Sequence, residues 1–135
     1  MTENQIKHLE MIQGIINRMN TNSFQIKGFT VAIVSALLTL YSRNQNSWLI
    51  AIGIPPILIL WILDSYYLQH ERIFRGIYND IINPSRKLVI KDFEMPFDKY
   101  FGWKFSIINA MCNSVNCFVY LAILTFLVAF GFIIK

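Results

Sequence analysis

Residues 106–135, SIINAMCNSVNCFVYLAILTFLVAFGFIIK, decide the class of this protein, because their second half is apolar and uncharged as far as Lys135. As one helix, the stretch would be about 45 Å long, whereas the hydrocarbon core of a bilayer is about 30 Å thick. Part of the stretch must therefore lie outside the hydrocarbon, or the helix must tilt strongly. We predict that residues 113–134 form a membrane-spanning helix.

The composition of the whole chain favours a membrane protein of one domain. The chain has 135 residues, of which 55% are apolar and 15% are charged, and its mean hydropathy is +0.45. Soluble domains are usually about 25% charged, and a small soluble domain has little interior in which to bury apolar side chains. A bilayer accommodates such side chains directly. We predict a single membrane domain over residues 1–135.

Two further uncharged runs predict two more spans. The runs cover residues 28–42 and 44–63. The first is slightly short for a span, which needs about 20 residues. We therefore extend its helix backward and expect Lys27 to snorkel toward the headgroups. The predicted spans are residues 24–42 and 46–64, and the polar residues 43–46 would form a tight hairpin between them.

The distribution of basic residues predicts the orientation of the spans. Ten lysines and arginines lie in the N-terminal arm and in the central segment 65–104, whereas Arg43 and Lys135 alone lie in the hairpin and at the C-terminus. Cytoplasmic segments of membrane proteins carry an excess of basic residues. We therefore expect the N-terminus and the central segment in the cytoplasm, and the hairpin and the C-terminus outside.

The N-terminal arm has the pattern of an amphipathic helix. Apolar residues recur at helical spacing, with polar residues between them. They are Ile6, Leu9, Ile12, Ile16 and Met19. We predict a helix over residues 1–20, which packs on the cytoplasmic part of its own chain, joins a bundle between subunits or lies on the bilayer.

The second span is predicted to continue as a helix beyond the membrane. Residues 61–83 keep an apolar face at helical period, and Pro84 marks a stop. Residues 65–104 would form a cytosolic helix and a linker, whose aromatic end folds back on the helix or lies along the headgroups. Inside the membrane, a glycine and two prolines interrupt the span as a static kink or as a hinge for gating. They are Gly53, Pro55 and Pro56.

These patterns predict an all-α membrane protein with three transmembrane helices, an N-terminal amphipathic helix and a cytosolic extension of the second span. No pattern typical of an enzyme appears in the sequence. His8 and His70 are far apart, and Cys112 and Cys117 would point about 140° away from each other on a helix. The sequence has no glycine-rich phosphate loop, nucleophile motif or Cys/His metal cluster. We expect no enzymatic activity, no metal and no cofactor.

A polar stripe runs along the quoted stretch at spacings of 3, 4, 3 and 4 residues, which places its members on one helix face. The candidate pore-lining residues are Ser106, Asn109, Asn113, Asn116 and Tyr120. An unpartnered amide is unfavourable in hydrocarbon, so the stripe must meet protein or water. Three interpretations stay open. The stripe enters the bilayer only near the interface, or its asparagines hydrogen-bond between helices, or it lines a water-filled pore between copies.

A basic patch in the central segment is the second candidate site. It comprises His70, Arg72, Arg75, Arg86 and Lys87. The patch either reflects membrane topology alone or forms an anion site, for phospholipid headgroups or for a nucleotide-like ligand. Residues 64–104 hold seven basic and six acidic residues. We therefore expect no binding of duplex nucleic acid.

The stretch WILDSYYLQHERIFRGIYNDI, residues 61–81, resembles a pattern in small multi-span membrane proteins of bacterial defence loci. The matching residues are Asp64, Tyr66, Tyr67, Glu71, Arg72, Phe74, Arg75 and Tyr78. The organisation is similar to SLATT-type effectors and to the membrane effectors of Hailong anti-phage systems, although SLATT proteins typically have two spans. The resemblance implies an effector that opens the inner membrane of an infected cell. It also implies control by a nucleotide-derived ligand from a partner nucleotidyltransferase.

From these observations we expect a homo-oligomeric channel in a bacterial inner membrane, with a tetramer as the assumed assembly. The polar stripe would line the pore, the basic patch would bind the ligand, and the long second helix would connect them. The alternative is a non-conducting membrane anchor or scaffold subunit for a cytosolic partner, which explains the long helix equally well. A membrane-bound enzyme would need a cleft of convergent polar groups that the sequence does not indicate.

Overall fold

The computed structural model describes residues 1–83, 85 and 89–134, and this part of the chain consists of helices and turns without a strand. The all-α prediction is therefore confirmed for the described residues. Two long helices come first and a third apolar helix comes last, with short helical turns between them. The helices are α1 (Glu3–Asn44), α2 (Trp48–Ile82), α3 (Ile107–Met111) and α4 (Ser114–Ile133), and single 3₁₀ turns lie at Phe97–Lys99 and Trp103–Phe105.

One continuous helix of 42 residues, α1, covers both the predicted amphipathic helix 1–20 and the predicted span 24–42. It begins with a capping box. The Gln5 N–H donates to Thr2 Oγ1 (3.3 Å), and the Thr2 N–H donates to the Gln5 side-chain oxygen (3.0 Å). These bonds satisfy donors that the first helical turn leaves unpaired. Because no proline interrupts the segment, the helix continues for about 60 Å.

A tight polar turn joins α1 to α2, at the place where the sequence predicts a hairpin. Gln45 has a left-handed backbone with φ of 48°, and its N–H donates to the Tyr41 carbonyl (2.7 Å). This left-handed cap ends α1. The Asn46 side-chain oxygen then accepts from the Trp48 N–H (3.1 Å) at the beginning of α2. The turn makes α1 and α2 antiparallel neighbours that pack along their length.

The predicted hinge lies inside a continuous helix, since α2 runs for 35 residues and contains both Pro55 and Pro56. Gly53 is buried at the place where α2 meets the other two long helices. A Cβ at this position would lie 2.7 Å from Leu37 Cδ1 and 3.4 Å from Leu127 Cδ2. The missing side chain therefore lets α1 and α4 pack closely against α2. Movement at these three residues stays a prediction.

Three helices, α1, α2 and α4, are long and apolar enough to cross a membrane. The predicted third span, residues 113–134, corresponds to α4. Only 22%, 22% and 17% of the most apolar stretch of each helix is buried within the chain. The rest of this apolar surface faces outward, as is expected where lipid or other protein covers it.

The molecule divides into two halves, which we name by their surfaces. The apolar half comprises residues 27–64 and α4, and the polar half comprises the described parts of residues 1–26 and 65–113. The core of the apolar half is formed by Val34, Ile57, Tyr120 and Leu127. The core of the polar half is formed by Ile12, Ile16, Ile73, Phe74 and Ile77.

The linker after α2 packs back on the polar half. The Phe97 ring meets the Phe74 ring edge to face, with centroids 4.9 Å apart. The linker also reaches α1, because the Phe93 N–H donates to Nδ1 of the buried His8 (3.2 Å). Phe93 holds a left-handed backbone with φ of 63°, which a non-glycine residue seldom adopts. The contact with α1 therefore fixes a tight local turn.

Candidate functional site

Polar side chains of all three long helices meet at the boundary between the two halves, and we call this group the polar junction. It consists of Ser23 and Lys27 from α1, Asp64 from α2 and Tyr120 from α4, and we include the buried Asn116, which lies one helical turn before Tyr120. Asp64 lies at its centre and is 0% exposed. A buried charge needs a partner, and the neighbouring helices supply it.

Both oxygens of the Asp64 carboxylate are occupied. Lys27 Nζ lies 2.5 Å from Asp64 Oδ2, and the Tyr120 hydroxyl donates to the same oxygen at 2.9 Å. The Ser23 hydroxyl donates to Oδ1 and accepts from Lys27 Nζ at 3.0 Å. The carboxylate thus has its charge compensated by one ammonium group and accepts two hydroxyl donors. Hydrogen bonds to ionised groups are stronger than neutral ones.

The antiparallel hairpin brings Lys27 and Asp64 together. Each lies about eighteen residues from the turn, so both side chains stand at the same height, roughly 27 Å along the helices. From the sequence, Lys27 was predicted to lie near the headgroups, without a partner in the chain. A usable signal was present, because Lys27 and Asp64 flank the two uncharged runs at equal distances from the hairpin.

The last helix contributes its polar face to the inside of the chain. The side chain of Asn116 is only 3% exposed, and its Nδ2 has no hydrogen-bond partner among the described residues. Tyr120 is fully buried and stacks on Trp61, with ring centroids 5.7 Å apart and planes 10° apart. Two residues of the predicted polar stripe therefore face α1 and α2 of the same chain. The unpaired amide is the weakest point of the junction, because a buried donor without an acceptor is destabilising.

The other residues of the polar stripe are separated from these two by a break between α3 and α4. Ser106 caps α3, where its Oγ accepts from the Ile108 N–H (3.2 Å). Asn109 accepts from an Arg72 guanidinium nitrogen at 2.6 Å. Asn113 stands at the N-cap position of α4. The stripe is thus divided over two helices instead of following one continuous face, and its role as a pore wall stays a prediction.

The described members of the basic patch lie close together on α2, where Arg72 and Arg75 line the same cavity, but each has a different partner. His70 Nδ1 lies 2.9 Å from a backbone carbonyl of its own helix. Arg75 pairs with the glutamate one turn before it (2.8 Å). Arg72 reaches across to Asn109 and so connects α2 with α3. The predicted residues Arg86 and Lys87 lie outside the described residues.

Comparison with known proteins gives no match: no family model, no curated protein and no solved structure matches this chain. The resemblance of residues 61–81 to defence effectors therefore stays a prediction. Within the described ranges, no three His, Cys, Asp or Glu side chains stand close enough to hold a metal ion.

Proposed function

We propose that the chain forms a homo-oligomeric ion channel in a bacterial inner membrane and acts as an anti-phage effector. Its polar half would lie in the cytoplasm and respond to a nucleotide-derived ligand from a partner nucleotidyltransferase. The observation that supports conduction is the Lys27–Asp64 ion pair between two apolar helices, in which the aspartate side chain is 0% exposed and the lysine side chain is 22% exposed. The defence role and the nature of the ligand rest on the resemblance of residues 61–81.

An ion pair between two membrane spans contributes little net stability if its charges are removed from water. Desolvation of two charges offsets much of their attraction, and apolar side chains of similar size often stabilise as well. Ionisable residues within membrane spans are rare, and they commonly mark ion pathways and gates. A helix bundle that serves only as an anchor has no need of such a pair, so the pair favours a function that involves charge or water in the bundle.

The polar junction would hold the channel closed. In the structure, the amide of Asn116 and the hydroxyl of Tyr120 face inward, and Tyr120 is bonded to Asp64. Separation of α4 from α2 would break this bond and expose both groups to water. The Arg72–Asn109 contact joins the polar part of α2 to the segment before α4. A ligand on the basic patch could therefore move α4 through this contact.

Single-channel recording on the purified protein in planar bilayers tests conduction. We expect discrete conductance steps, and a larger open fraction for Lys27→Met, because this change breaks the ion pair. Asn116→Leu should alter the conductance of each step. Thr125→Leu is the matched control on the same helix, since Thr125 is exposed and bonds only to carbonyls of its own helix (2.8 and 3.0 Å) among the described residues.

Two outcomes would contradict the channel. One is a silent bilayer containing well-folded protein, both alone and with nucleotide extracts from infected cells. The other is an identical effect on conductance of the substitutions at Asn116 and Thr125, which would show that the inner face of α4 does not line the ion pathway.

The ligand site is tested separately. The double variant Arg72→Ala/Arg75→Ala should lose the response to extracts while it still assembles.

A non-conducting anchor or scaffold subunit is the second candidate. It is favoured by the way in which Asp64, Tyr120 and Asn109 find hydrogen-bond partners inside the single chain. Such a closed arrangement leaves mainly apolar side chains on the outer faces of the spans. This candidate predicts a fixed stoichiometry with a cytosolic partner and no conductance from the purified protein.

A further inference from the structure

Two cations of the polar half, Arg72 and Lys104, have no carboxylate partner among the residues that the structure describes. The Arg72 guanidinium reaches the backbone of Lys104, whose carbonyl oxygen lies 3.5 Å away, and the Lys104 ammonium lies 5.9 Å from the centroid of the Phe105 ring. The other contact of Arg72 is the neutral amide oxygen of Asn109. Their positive charge is therefore available to an external anion.

Neighbouring cations differ in this respect. Arg75 pairs with Glu71 at 2.8 Å, and Lys99 lies 3.7 Å from Glu94. All four basic residues line one cavity of about 480 Å³ between α2 and the linker. Among the described residues, the one carboxylate in its lining is Asp80, about 12 Å along α2 from Arg72, where it accepts from the Tyr100 hydroxyl (2.6 Å). The uncompensated charge thus lies at one end of the cavity.

That end of the cavity lies at the level of lipid headgroups. A helix needs about 20 residues to cross the hydrocarbon core, so a span that begins at Trp48 leaves it near Tyr67. The headgroup layer adds roughly 5–7 Å on each side, or about four residues of helix. The outer limit of the headgroup layer therefore falls near Arg72. Arg75 and the end of the cavity near Asp80 lie beyond the headgroups.

Two large aromatic side chains next to Lys104 are unusually exposed for a polar surface. Phe101 is 82% exposed and Trp103 is 66% exposed. Both stand in the same short segment as Lys104, which packs beside Arg72. Tryptophan and other amphipathic aromatics concentrate at membrane interfaces, where basic residues attract anionic lipids. The backbone of Lys104 and Phe105 accepts from Arg72 and Gln69, so Trp103 and Lys104 lie next to the part of α2 that reaches the headgroup layer.

We infer that Arg72 and Lys104 bind the phosphate of an anionic phospholipid headgroup, and that Phe101 and Trp103 lie in the interface beside it. The guanidinium and ammonium groups donate to the phosphate oxygens. The inference rests on the part of the proposed function that places the spans in a membrane and is independent of conduction. The lipid site shares Arg72 with the proposed ligand site, so the phosphate of a soluble ligand is the alternative occupant.

Native mass spectrometry of the full-length protein in detergent tests the lipid site. Phosphatidylglycerol and phosphatidylcholine are titrated separately, and the fraction of lipid-bound protein is measured. We expect tighter binding of phosphatidylglycerol, and about tenfold weaker binding of this lipid to Lys104→Ala, with phosphatidylcholine unaffected. Lys99→Ala is the matched control, because it removes the same charge from the same cavity at a lysine that already has a carboxylate partner.

Circular dichroism of each variant shows whether the helices remain folded. Lys104→Glu is a second variant at this exposed position, which reverses the charge that Lys104→Ala only removes. Equal loss of binding in Lys99→Ala and Lys104→Ala would overturn the assignment to the unpaired cations. Equal affinity for the two lipids would overturn an anionic site. Displacement of phosphatidylglycerol by inorganic pyrophosphate at comparable concentrations would show that the natural ligand is a soluble phosphate.

Discussion

The two halves of the molecule are held together by different contacts. In the polar half, α1 and α2 pack through a cluster of isoleucines and Phe74, and aromatic residues of the linker cover it. In the apolar half, the three long helices meet over a smaller apolar core and are tied by Lys27, Asp64 and Tyr120. In water, burial of apolar surface drives packing, whereas lipid is as apolar as the side chains and offers no such drive. In the membrane location that we propose for the spans, hydrogen bonds and close packing must therefore hold them together.

The largest effect is expected at the ion pair. Lys27→Met leaves the Asp64 carboxylate buried without its counter-charge and should lower the free energy of unfolding by about 3–5 kcal/mol. Denaturant unfolding in mixed micelles, followed by helical circular dichroism, measures the change. The double variant Lys27→Met/Asp64→Leu replaces the pair by apolar groups and should recover most of the loss. If the double variant is as unstable as the single one, the pair is not what holds these helices.

The next largest effect is expected in the core of the polar half. Ile77 is 0% exposed, and Ile77→Ala should destabilise the fold by about 2–5 kcal/mol, since it leaves a cavity in a core that the hydrophobic effect stabilises. Ile59→Ala is the control on the same helix, where Ile59 is 64% exposed on the apolar half. It should change stability by less than about 0.5 kcal/mol. Equal losses in the same unfolding measurement would show that both halves depend on the same kind of packing.

A smaller loss of stability is expected from removing single hydrogen bonds in the apolar half, where one tyrosine donates to a carboxylate and another donates to a backbone carbonyl. Tyr120→Phe removes a donor to Asp64 and should destabilise the fold by about 1 kcal/mol or more. Tyr41→Phe removes the bond from the Tyr41 hydroxyl to the Gly131 carbonyl (2.9 Å) and should have a smaller effect, near 0.6 kcal/mol. Unfolding of the two variants in parallel checks the order. A reversed order would mean that Asp64 is held by Lys27 and Ser23 alone.

The smallest effect is a dependence on pH in the linker of the polar half. The Lys91 N–H donates to Glu94 (3.0 Å), and this backbone hydrogen bond lowers the pKa of the Glu94 carboxyl. Because the folded pKa is below the unfolded one, the stabilisation is present above the unfolded pKa. It is lost as the pH falls through the folded pKa. Glu94→Gln should therefore flatten the acid side of a plot of unfolding midpoint against pH. An unchanged acid side would show that the bond contributes nothing measurable.

The sequence predicted the elements of this fold better than their contacts. Hydropathy predicted three helices apolar enough to cross a membrane, and the structure has three such helices among the described residues. The first two helices are longer than the predicted spans, and the turn between them begins after Asn44. The continuity of α1 was not predicted, because a change from amphipathic to apolar composition does not by itself end a helix. The break before α4 was also not predicted, since the spacing of the asparagines suggested one uninterrupted face.

The candidate site shows the same limit. Asn116 and Tyr120 were identified as polar residues that need partners, and the structure places both of them inside the bundle. The partner of Tyr120 was not identified, because it depends on the rotation of α4 about its own axis. The Lys27–Asp64 pair was within reach, since an antiparallel hairpin sets the height of each residue. Their contact also depends on which face each helix turns inward.

By itself, the sequence determined which segments are apolar enough to cross a membrane as helices, because hydropathy is a sum over neighbouring residues. It did not determine where each helix begins and ends. The tertiary structure decided which polar groups meet. An ion pair such as Lys27–Asp64 and a contact such as Arg72–Asn109 need the right height, rotation and distance between helices that are far apart in the chain. These quantities follow from how three helices pack together, and residue spacing along one helix does not contain them.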